Sequence, residues 1–250
     1  MKFLKESLLI LSTLCFVFTV SVANADSVCY KGVSTACPPA GQGKTPLSPA
    51  SCTSQFGQFP RLNDKTEALI KEHLRASMQF LMLANHFGEW DINRKGFYEY
   101  FNKLSDYAWE DAGALLEHMV KRGGQLSNKF QIPAAEDPKE QQDKFYDMTE
   151  LHALSKALDI QKNLAKSTLR LITLANHGPS VNDTEEIDEW RTHGFQRDGE
   201  FAHFLADEVS DKQVLRIKHL ANHVNTLSQA LDETPDAGLV LYIYDTQVLN

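Results

Sequence analysis

Residues 69–124 carry two long apolar stripes at helical spacing, and nothing but a pair of packed helices satisfies both. The first stripe is Ile70, Leu74, Ser77, Leu81 and Ala84; the second is Phe97, Phe101, Leu104, Ala108, Leu115 and Met119. Steps of three and four residues place each set on one helix face, which must be buried against a partner. Gly123-Gly124 then supplies the left-handed residue that ends such a helix. The expected helices are A over 63–87, capped by Asn63 or Asp64, and B over 94–122. A further pair, C over 146–176 and D over 199–231, lies downstream, and a short fifth helix over 236–245 follows Pro235.

Helices of this length are roughly 40 Å long. Four of them make one all-α bundle of ordinary domain size. The link between B and C is polar, with Pro133 and Pro138, and its length of roughly 20 residues is enough to run the length of a bundle. B and C can therefore be parallel, joined by one long crossover, an arrangement of ferritin-like bundles; two such crossovers mark cytokine bundles.

The start of the chain has a different character. Lys2 and Lys5 precede an apolar run from Leu8 to Val22, and Ala23-Asn24-Ala25 is a small-x-small cleavage signal. Residues 1–25 thus read as a signal peptide, and the run is short for a membrane anchor. Removal of Lys2, Lys5 and Glu6 with that segment takes the formal charge from −8 to −9. An acidic chain disfavours nucleic acid as a partner. No later segment is apolar and long enough to span a bilayer, so no membrane association is expected. Residues 26–62 form a Cys-, Pro- and Gly-rich arm, and 63–250 the helical domain.

Cys15 leaves with the signal peptide, and Cys29, Cys37 and Cys52 remain on the arm, in an oxidising compartment. Three is an odd number. One internal disulfide plus one bridge to another chain is the simplest arrangement, and a leftover thiol is the alternative. Zinc is disfavoured, since no His lies among these cysteines. Asn182-Asp183-Thr184 is an N-glycosylation sequon. Glu200-x-x-His203 has the Glu-x-x-His form but lies at the start of helix D, and His219/His223 lacks the Glu of a zinc protease motif. Gly41-x-Gly43-Lys44-Thr45 lacks the spacing of a phosphate loop.

Several segments in order carry a family resemblance. Ile70 to Gly124, ending in Lys121-Arg122-Gly123-Gly124, resembles the first two helices of ferritins without a gap. Gln161-Lys162-Asn163-Leu164, Lys212-Gln213-Val214, His223 to Leu227 and Gly238 to Asp245 extend the likeness from Thr66 to Asp245. The signal peptide and the Cys29-Tyr30 arm resemble the secreted ferritins of insects. Leu104-Ser105-Asp106 and Glu110-Asp111 resemble their light-chain homologue.

This resemblance implies a ferritin-like four-helix bundle with one crossover and a short fifth helix. It places the ferroxidase positions at His73, Phe80, Ala108, Asp111, Gln161 and Gln213, where only the Gln213 residue type is kept and only Asp111 is a carboxylate. Two iron ions bring at least four positive charges, which a lone aspartate cannot offset in a low-dielectric interior. His73, Asp111, Gln161 and Gln213 are therefore expected to form a hydrogen-bonded polar layer with no tightly bound catalytic metal.

The mineral-nucleating carboxylates of light-type subunits fall at Glu99, Asp106 and Glu110, with Lys103, Tyr107 and Gly113 at other such positions. The acids of the three-fold pore fall at His203 and Ala206. The implied function is iron storage, without enzymatic activity, as a light-type subunit around a ferric mineral core. The implied partner is a heavy-type ferritin subunit in a secreted shell of 24 chains, joined through an inter-subunit disulfide. The alternative is a ferroxidase with an altered centre built on His73, Asp111 and Gln213. A helical interaction protein without iron fits the bundle but leaves the gap-free likeness unexplained.

Overall fold

The computed structural model describes residues 54–131, 148–178 and 197–249. The expected signal peptide over 1–25, Cys29, Cys37, Cys52 and the sequon at Asn182 lie outside the described residues. Within them the chain is all-helical. The long helices are α1 (Phe59–Gly88), α2 (Lys95–Lys121) and α3 (Glu150–His177). The fourth begins as α4 (Gly199–Phe204), passes through a π-helical segment at Leu205–Ser210 and continues as α5 (Asp211–Glu233). A short α6 (Ala237–Ile243) runs into a second π-helical segment, Tyr244–Val248. No helix among the described residues is long and apolar enough to cross a membrane.

Helix α1 starts one turn before the expected cap. Pro60 lies in its first turn, where a fixed φ and a missing N–H cost nothing, and Phe59 and Leu62 are fully buried, so burial extends the helix. Asn63 instead lies inside the helix and bonds the backbone of Gln125 in both directions, at 3.0 and 3.1 Å. Leu81 is a second departure, being 40% exposed, while Phe80 is fully buried. Eight residues beyond His73, Leu81 is turned about 80° around the helix, at the rim of the face that His73 and Phe80 centre.

The end of α2 is as expected. Gly123 has φ +73°, its N–H bonds Val120 O, and the Gly124 N–H bonds Met119 O at 2.8 Å. Those two bonds make a Schellman stop.

Contacts at the helix ends fix the topology. Asn63 near the start of α1 meets Gln125 beyond the end of α2, so these two are antiparallel. His86 near the end of α1 meets Met148 O just before α3 at 3.0 Å. Arg94 pairs with Glu150 at 3.0 Å, which puts the starts of α2 and α3 side by side and makes them parallel. The Asp198 N–H bonds Ala175 O at 2.9 Å, so the fourth helix returns antiparallel to α3. This is the one-crossover order. The fifth element docks at the end where α2 begins, with Tyr244 against Phe97, ring centroids 6.1 Å apart.

The core is not continuous. One apolar cluster holds Phe80, Phe97, Phe101, Ala108, Leu164 and Leu220. A second, toward the other end, holds Phe59, Ile70, Leu115, Leu171, Phe201 and Val209. His73, Asp111 and Gln213 interrupt the apolar sequence between them on three helices, and all three are buried.

Candidate functional site

The polar layer is built by spacing. On α1, His73 follows Ile70 by three residues and precedes Phe80 by seven; on α2, Asp111 follows Ala108 by three. Both pairs stay on the buried face. Gln161 on α3 and Gln213 on α5 are fully buried as well, and Phe80 and Ala108 lie in the apolar cluster beside them. All six expected positions are therefore interior.

Their mutual bonding differs from the expected layer. The Gln213 amide donates from Nε2 to His73 Nε2 at 3.3 Å. His73 Nδ1 is 3.8 Å from Asp111 Oδ2, too far for a hydrogen bond. Gln161 makes no side-chain hydrogen bond at either amide atom, and neither does Gln213 Oε1. Each such buried atom costs about 1–3 kcal/mol when left without a partner.

The partner of Asp111 lies outside the six expected positions. Arg216, one turn past Gln213 on α5, reaches Asp111 with both guanidinium nitrogens: Nη1 bonds Oδ2, and Nη2 bonds Oδ1 at 3.1 Å. The Tyr107 ring lies under the same guanidinium, 4.8 Å from centroid to carbon. Planar bidentate pairing of this kind is the strong form of a carboxylate contact. Burial pushes the Asp111 carboxyl up from its ordinary value, and the hydrogen bond and charge of Arg216 pull it down. Burial also drives His73 down to about 3, and the Arg216 charge adds to that. His73 is thus neutral, and Arg216 rather than His73 compensates Asp111.

The remaining sites are separate. Glu99 is half-buried and paired with Lys95 at 3.5 Å, while Asp106 and Glu110 are exposed on the same helix. Glu99 and Asp106 are seven residues apart, roughly 10 Å along the axis, with Lys103 between them, so they share a face without converging on one point. Glu200 is occupied by His118 and Arg122, while His203 is exposed and pairs with Asp207 at 3.2 Å. The Glu-x-x-His pair is therefore split. His223 Nδ1 is taken by the Tyr244 hydroxyl at 2.8 Å, which leaves the His219/His223 pair without a common ligand point. Among the described residues, no three His, Cys, Asp or Glu side chains group as a metal-ligand set.

The ferritin family model, described as a ferritin-like domain, matches residues 63–190. The chain belongs to the ferritin family. A ferritin light chain of Drosophila melanogaster is 26% identical over 227 residues, covering 91% of each chain. A ferritin heavy chain of Echinococcus granulosus is 29% identical over 180 residues, 72% of this chain and 86% of that one. The crystal structure of Trichoplusia ni secreted ferritin superposes with a TM-score of 0.70 at 27% identity, covering 89% of this chain and 97% of that one. Ferritin membership assigns iron storage to the chain, and the bundle with one crossover and a fifth helix is the ferritin fold. Light- and heavy-type names both occur among the relatives, so the subunit type rests on the residues of the polar layer.

Proposed function

We propose that this chain is a non-catalytic, light-type ferritin subunit of a secreted shell, working beside a heavy-type subunit that oxidises iron. The observation that carries the reading is the pairing of Asp111, the lone carboxylate among the ferroxidase positions, with Arg216. A di-iron centre needs several anionic oxygens held around two dications. Here the positions offer Ala108, Phe80, two amides and a neutral imidazole, and the remaining carboxylate is occupied. The chemistry left to the chain is structural. It completes the shell wall and presents Glu99, Asp106 and Glu110 on α2, carboxylates suited to ferric ions at a mineral surface.

The signal peptide over 1–25 and the likeness to a secreted ferritin support export. In that compartment Cys29, Cys37 and Cys52 can oxidise, and their odd number supports a covalent link to a partner chain. Native particles run without reductant should show a heterodimer that reductant splits into two different chains, the partner carrying the full ferroxidase ligand set. Particles that run as single chains without reductant, or that contain this chain alone with iron loaded, would contradict the partnership.

A further inference from the structure

We propose that Arg216 is the specificity-determining residue of the mid-bundle polar layer: its guanidinium is the layer's own cation, and it excludes a divalent metal ion from the Asp111–His73 pair. The inference rests on the non-catalytic reading and gives it a single-residue cause.

Two atoms of the layer lie close to metal-sharing distance, once the His73 proton moves to Nε2 and the Gln213 amide turns its unpartnered oxygen to accept it. His73 Nδ1 and Asp111 Oδ2 are 3.8 Å apart, and His73 Nδ1 bonds no other group. Two ligands bonded to one ion at about 2.0–2.2 Å are separated by roughly 3–3.5 Å, so a small side-chain adjustment would let these two share an ion. Gln161 on α3 is a further buried amide without a hydrogen-bond partner. Carboxylate and neutral imidazole are both donors that a first-row dication accepts.

The guanidinium prevents this by charge and by occupancy. It holds both oxygens of Asp111 and is wedged between that carboxylate and the Tyr107 ring. Its side chain is 11% exposed and that of Asp111 is 2% exposed, so water screens the pair poorly. A dication entering beside it would meet a like charge a few ångströms away and would have to displace two charge-assisted hydrogen bonds. At the effective dielectric of a protein interior, that repulsion alone lowers affinity roughly a hundredfold or more.

The test uses Co(II), whose visible absorption reports protein ligands without any redox step, titrated into assembled full-length protein. The wild type should show no site that Asp111→Asn removes. Arg216→Met, which keeps bulk and deletes the charge, should gain one Co(II) per chain with affinity at least about a hundredfold above wild type. Arg216→Met/Asp111→Asn should lose it, and Arg216→Lys should remain empty. If Arg216→Met does not assemble, Arg216→Gln takes its place under the same criteria. An Asp111-dependent site in the wild type, no gain in the folded neutral variant, or equal gain in Arg216→Lys would each overturn the proposal. A failure of the neutral variant to gain metal leaves the non-catalytic reading intact, whereas failure of that reading appears in the wild type as catalysed Fe(II) oxidation.

Discussion

Asp245, near the end of the chain, caps the helix that begins at Lys95: its Oδ1 accepts the Phe97 N–H at 3.0 Å across 148 residues of sequence. The first turn of α2 has no cap from its own neighbourhood, since Arg94 offers no acceptor side chain. The close approach requires a glycine at 96, because a Cβ there would lie 2.0 Å from the Asp245 carbonyl oxygen. Asp245→Ala should therefore cost about 1 kcal/mol, the ordinary value of a helix cap. Gly96→Ala should cost more, by forcing the fifth element off α2. Urea unfolding followed by circular dichroism reads both, and equal stability of Gly96→Ala and wild type would show that the C-terminal element is not docked there.

At the opposite end of the bundle, Arg122 holds Asp198 through two nitrogens at 2.9 and 3.2 Å and also bonds Glu200 and the Phe56 carbonyl. Phe56 and Phe59 rings flank its guanidinium at 4.0 and 4.8 Å. Asp198 in turn accepts the Phe201 N–H and starts the fourth helix. Arg122→Met leaves a buried carboxylate without its cation, which costs about 3–5 kcal/mol. Thermal unfolding should show a loss of that order. A change below about 1 kcal/mol would mean that the cluster is already hydrated and contributes little.

His73 gives the protein a pH dependence of defined sign. Its imidazole titrates at about 3 in the folded chain, against an ordinary value of 6.5, chiefly because it is buried. Between those values the unfolded chain binds more protons, so stability is fully present above pH 6.5 and is lost as pH falls, by about 1.4 kcal/mol per unit. Asp111, whose carboxyl is raised by burial, acts in the opposite sense. Comparison with His73→Gln, uncharged at every pH, isolates the histidine. From pH 7 to pH 5 the variant should lose about 2 kcal/mol less than wild type. Identical losses would mean that His73 is solvated or paired in the folded state.

Local chemistry makes most of the fold legible in the sequence. Gly123-Gly124 stops α2 because only glycine takes its backbone angle cheaply, and the second apolar stripe, Phe97 to Met119, is buried throughout. What stays hidden depends on rotation and distance. Leu81 lies at the rim while Phe80 fills the core. Asn63 has the residue type of a cap, yet its partner is the backbone of Gln125, a tertiary contact. The interior placement of His73, Asp111, Gln161 and Gln213 is legible residue by residue. Arg216 is not, because an arginine on a polar helix reads as solvent-facing. Its spacing of three from Gln213 is a signal that could have placed it on the inward side.

Stopped-flow measurement of Fe(II) oxidation by shells of this chain alone tests most directly whether the bundle keeps the ferritin fold without the oxidation chemistry. With Asp111 bound to Arg216 and no second carboxylate at the expected ferroxidase positions, the expected rate equals that of buffer, and Asp111→Ala leaves it unchanged. Rapid oxidation of about two Fe(II) per chain, as a di-iron centre requires, abolished by Asp111→Ala, would contradict the account.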